Sequence, residues 1–95
     1  MADWKFAEPP KVAVLTTRNV ALHGGVILFV SHDEDDGMCQ FHEGSNLSED
    51  TAMVISLEEA VAIDPSITDV ADLPRGWHAW RDAKGQPWKR AQSEL

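Results

Sequence analysis

Residues 26–42 read VILFVSHDEDDGMCQFH: an apolar run, a break of four consecutive acids closed by Gly37, and a second run in which side-chain character alternates. Short apolar and β-branched runs bounded by a Gly- and Asp-rich break are the pattern of strands joined by a turn. Residues 26–31 therefore predict one strand and residues 38–42 another, with the acidic stretch as the hairpin loop between them. In the second strand the period of two places Cys39 and Phe41 on one face and Met38, Gln40 and His42 on the other.

Working outward, residues 12–17 (VAVLTT) are apolar on both parities, which predicts a central strand covered on both faces, next to the strand at 26–31. Residues 18–25 break the pattern, with His23-Gly24-Gly25 as the turn signal. Further on, 52–55 (AMVI) reads as a short strand. Ser56 with Glu59 three residues later has capping-box spacing and starts a helix through Leu57, Ala60 and Val61, which Pro65 ends. Asp64-Pro65-Ser66 opens a second short helix, carried by Ile67, Val70, Ala71 and Leu73.

The last third predicts a terminal hairpin, with Trp77, Ala79 and Arg81 facing one way and His78, Trp80 and Asp82 the other. The fold class that follows is α+β, a mainly antiparallel sheet of about five strands with one or two short helices. Residues 1–11 read as an arm that docks through Trp4 and Phe6 and ends at Pro9-Pro10, and residues 12–95 as a single domain.

Ninety-five residues suffice for one modest core. The longest aliphatic or aromatic run, 26–30, is far too short to span a bilayer, and the first residues lack the apolar stretch of a secretory signal. One cysteine, Cys39, excludes an internal disulfide, so a cytoplasmic protein is expected. The formal net charge is −8, and no Lys or Arg occurs between Arg18 and Arg75. That balance disfavours nucleic acid and anionic membrane as partners and favours a basic protein. Asp33, Glu34, Asp35, Asp36, Glu43, Glu49 and Asp50 are the interaction candidates.

Chemistry is harder to place in this acidic stretch. Laid on a calcium-loop pattern, Asp36, Gly37 and Glu43 fit, but His32 stands where a carboxylate is required and strands flank the loop where that motif needs helices. His32, Asp36, Cys39 and His42 have the donor types of a small-ligand or metal site, the alternative reading. Against it, Cys39 and His42 are three apart in one strand and project to opposite faces. Four nearby carboxylates would raise the thiol pKa, so Cys39 reads as a core residue. With no phosphate loop, nucleophile elbow or metalloprotease pair, neither catalytic residues nor a cofactor are expected, and the chain reads as a non-enzyme. Of Trp77, Trp80 and Trp88, two are expected to be mostly buried, with Arg stems along their edges.

Four stretches together carry a family resemblance: TTRNVALHGG at 16–25, DDGMCQFHEG at 35–44, DPSITDVADLPRGWHAWR at 64–81 and PWKR at 87–90. In these the chain resembles a family of small bacterial proteins of unknown function, distantly similar to predicted immunity proteins of bacterial toxin systems. Met38 stands where the immunity-like members carry Trp. The resemblance implies a non-enzymatic α+β domain that binds another protein.

Overall fold

The structure is a computed structural model, and it describes residues 4–44 and 50–93. These form an α+β fold around a six-stranded, mostly antiparallel sheet. The strands are β1 (Ala13–Thr17), β2 (Phe29–His32), β3 (Cys39–His42), β4 (Ala52–Ser56), β5 (Trp77–Trp80) and β6 (Lys89–Gln92), in spatial order β4-β1-β3-β2-β5-β6. Among these pairings only β1 with β3 is parallel.

The hairpin at 26–42 forms with Cys39 and Phe41 on one face as expected; its first strand is Phe29–His32 rather than 26–31, and the pairing sets Val30 opposite Phe41 and His32 opposite Cys39. Its turn is closed by Asp33 N–H donating to the Met38 carbonyl, Gly37 N–H donating to the Asp33 carbonyl, and Met38 N–H donating to Asp36 Oδ1. Gly37 has φ +72°, a conformation that disfavours other residues, and the Arg75 guanidinium lies directly over it where a Cβ would stand.

Two expectations are corrected. β1 and β2 are not neighbours, because β3 lies between them, paired in parallel with β1 and antiparallel with β2. Thr16, buried on β1, reinforces that parallel pairing by donating from its hydroxyl to the Phe41 carbonyl at 2.6 Å. Residues 18–25 are also not a simple break: α1 (Arg18–His23) forms there, capped by the Thr17 side chain accepting from Val20 N–H and ended by Gly24 at φ 73°. Thr before the first turn and Gly after the last are helix boundaries, and that signal lay in the sequence. The described residues thus hold three short helices: α1, α2 (Leu57–Ile63) and a 3-10 helix (Pro65–Val70). The capping box at Ser56 and Glu59 closes in both directions, and Pro65 occupies the first turn of the 3-10 helix.

Residues directly opposite on paired strands share a face, so the registers sort the sheet into two sides. Val14, Thr16, Val30, Cys39, Phe41, Ile55 and Ala79 fall on one side, and all are buried. They pack with Leu57 and Ala60 of α2, Ile67 and Val70 of the 3-10 helix, and Val20 of α1. Phe6 seals this core from the N-terminal segment, its ring edge-on to Phe41 at 6.4 Å. Backbone bonds from Leu57 N–H to the Val12 carbonyl and from Glu58 N–H to the Pro10 carbonyl hold that segment against α2.

Candidate functional site: the open face of the sheet

The other side of the sheet carries Leu15, Phe29, Ser31, Gln40, His42, Val54, His78 and Trp80, and among the described residues no helix packs over its centre as α2 does on the core side. Val54, on the edge strand, is 59% exposed. Across the middle runs an aromatic column. Phe29 stacks against His42 at 4.9 Å and against His78 at 5.5 Å, and His78 meets Trp80 at 5.4 Å. His42 is held by Gly44 N–H donating to its Nδ1 at 3.1 Å, which leaves the proton of the neutral ring on Nε2. Burial pushes the His42 pKa down, against the opposing pull of the Glu43 charge.

Carboxylates frame this column at both ends. At one end Asp33 accepts from Gln40 Nε2 at 2.8 Å, with the Ser31 hydroxyl at 3.5 Å, both from the open face. At the other, Glu43 accepts from Thr17 Oγ1 at 2.6 Å and Asn19 Nδ2 at 2.7 Å. Burial works against the charged form of Glu43. The hydrogen bonds from Thr17, Asn19 and its own backbone, together with His42, outweigh that, so its pKa lies below the usual carboxylate range. Asp82 follows β5, two strands away across β2, exposed and 3.7 Å from Lys89. Phe29, His78, Trp80, Glu43 and Asp82 line a groove of about 410 Å³.

The acids singled out in the sequence are therefore only partly brought together. Asp33, level with Met38, and Glu43 lie at opposite ends of β3, on the order of 17 Å apart along the strand at a rise of ~3.3 Å per residue. Asp50, exposed, precedes β4 at the Glu43 end, where Arg18 N–H donates to the neighbouring Thr51 carbonyl. Glu49 lies outside the described residues. Glu34, Asp35 and Asp36 are exposed in the turn and, with His32, Gly76 and Ser93, surround a hollow of about 270 Å³. Glu34 covers Gly76 as Arg75 covers Gly37, so the turn is docked on the start of β5. Among the described residues no carboxylate of the turn is in ion-pair contact with a Lys or Arg.

His32, Asp36, Cys39 and His42 do not converge on one point. His32 and Cys39 are opposite each other on the core side, His42 is on the open side, and Asp36 binds its own turn. Among the described residues no group of three or more His, Cys, Asp or Glu is arranged to hold a metal ion. His32 Nδ1–H donates to the Leu73 carbonyl at 2.7 Å, and its Nε2 faces the Glu8 carboxylate at 3.6 Å. Cys39 is buried, and desolvation, with the Glu8 and Asp33 charges, pushes its thiol up to about 12.

Sequence reasoning missed Phe29, His78, Trp80 and Asp82 as site residues. The alternation of WHAWRD does separate His78, Trp80 and Asp82 from the core side, but nothing local shows that β5 pairs with β2 and sets them beside Phe29. Of the three tryptophans, each partly buried, Trp77 and Trp88 pack against the core, and Arg81 lies over the Trp88 ring at 4.2 Å. No described helix is long and apolar enough to cross a membrane. No protein-family model matches the chain, and no curated protein or solved structure matches it either.

Proposed function

We propose that this protein is a small acidic, non-enzymatic protein-interaction module of the immunity-protein kind, acting in the cytoplasm and binding a basic protein through the open face of its sheet. The observation that supports this reading is the framing of a half-exposed aromatic column, Phe29, His78 and Trp80, by carboxylates at both ends. Aromatic side chains supply rigid contact area at low entropic cost, and fixed charges around them steer encounter and select the sign of the partner. The acids of the turn, Glu34, Asp35 and Asp36, extend the negative field beyond the contact itself. Nucleic acid is disfavoured by the net charge of −8. A thiol nucleophile is disfavoured because Cys39 stays protonated at neutral pH.

The test is capture of partners from lysate of the source organism at low and high salt, followed by association rates for each protein recovered. A basic partner whose association slows about tenfold between low and physiological ionic strength supports the reading. A specific partner that is acidic, or whose association rate ignores salt, overturns it and leaves the acidic surface as an aid to solubility.

A further inference from the structure

The groove between Glu43 and Asp82 has a more specific chemistry than a general attraction to positive charge. Its aromatic wall is the end of the column, where Trp80 meets His78 at 5.4 Å with 31° between the rings, so that the column covers one face of Trp80 and the other is turned away from it. Its sides carry two carboxylates of different character. Glu43 is anchored by Thr17 and Asn19, whereas Asp82 is exposed and, among the described residues, has a loose contact to Lys89 at 3.7 Å. Arg81 also borders the groove, but its guanidinium is turned to the core side, where it donates to Asp64 at 2.7 Å and to the Ile27 carbonyl at 2.9 Å. Among the described residues the other titratable groups at the groove are His78, bonded through Nδ1 to Ser93 Oγ at 2.9 Å, and His42 behind Phe29.

We propose that this groove is a socket for an arginine side chain presented by the basic partner, its guanidinium lying against Trp80 and donating to Asp82, with Glu43 on the far side of the groove adding to the negative field; this rests on the binding role proposed above. A flat, weakly hydrated guanidinium suits the face of an indole with a carboxylate beside it, whereas a lysine ammonium is a compact, strongly hydrated charge. The same molecule uses this arrangement on its core side: Arg81 stacks over Trp88 at 4.2 Å while donating to Asp64. The Lys89–Asp82 pair is solvent-exposed, so displacing Lys89 costs little.

The experiment titrates the isotope-labelled full chain at low salt with an N-acetylated Gly-Arg-Gly peptide and its Gly-Lys-Gly counterpart, followed by NMR. The arginine peptide is expected to shift the Trp80 indole N–H and the Phe29 and His78 signals saturably, and to bind about threefold more tightly than the lysine peptide. Asp82→Asn, at an exposed position, is expected to weaken it about threefold, and Trp80→Ala about tenfold. Shifts confined to residues 33–36 overturn the socket while leaving the acidic interaction surface standing. Equal affinity for the two peptides, or an Asp82→Asn chain that binds as well as the original, also overturns it. No shift anywhere does the same, and the proposed function is then judged on the recovered partner alone.

Discussion

Arg81 Nη2 donates to Asp64 Oδ2 across 2.7 Å, with both side chains buried. The pair joins the end of β5 to the junction between α2 and the 3-10 helix. Asp64 also accepts from Ser66 N–H at 3.0 Å and Ser66 Oγ at 2.6 Å, and Arg81 donates from Nε and Nη2 to the Ile27 carbonyl. Removing one partner leaves the other charge buried and uncompensated, which costs about 3–5 kcal/mol. Asp64→Ala is therefore expected to destabilise the fold by that amount, far more than the roughly 1 kcal/mol of losing the Ser56 cap through Ser56→Ala. Urea denaturation of the two variants checks the order, and equal midpoints would show that the pair contributes little.

Stability is expected to fall with acidification in two stages. The His42 pKa is pushed below its ordinary 6.5 by burial, so the unfolded chain binds the proton first. Its contribution is complete above about pH 6.5 and declines as the pH drops below that value. Asp64 and Glu43 are buried against their charge, yet their hydrogen bonds and neighbouring cations hold both pKa values below the carboxylate range. Their contributions are present above the unfolded carboxylate pKa and are lost as the pH falls through the folded values, below about pH 4. Urea midpoints measured from pH 8 downward should show the shallow loss first, and His42→Phe should remove it.

Cys39 should react with a thiol reagent slowly in native buffer and rapidly in denaturant, since it is buried on the core face and its thiol is pushed up to about 12. Prompt labelling of the native chain would contradict the register of β3.

Neutralising the turn by Asp33→Asn, Glu34→Gln and Asp35→Asn should leave stability within about 0.5 kcal/mol. The amide oxygen introduced at position 33 can still accept from Gln40, and the turn's own bonds run through Asp36 and the backbone. Association with the basic partner should slow, with dissociation little changed. Loss of folding that calcium or zinc restores would make the turn a metal site.

Much of the local structure is legible in the chain. The hairpin at 26–42, the core face through Cys39 and Phe41, the capping box at Ser56 and the Pro65 boundary are all written in short-range patterns. The helix at Arg18–His23 was equally local, marked by Thr17 and Gly24, and is overlooked when Gly24-Gly25 is read only as a turn. The candidate site was legible only in fragments, because Phe29 looks like any core residue of an apolar strand.

The sequence by itself determined which segments are strands, where α2 begins and which face of β3 is buried, because side-chain period and helix capping act over a few residues. Only the tertiary structure decided that β3 inserts between β1 and β2 and that β5 joins β2 on its other edge. Alternation tells a residue's face but not its neighbour, since every strand offers the same backbone donors and acceptors to any partner. The side that packed against α2 and the 3-10 helix became the core. What remained outside brought Phe29, His78 and Trp80 together between Asp33 at one end and Glu43 and Asp82 at the other.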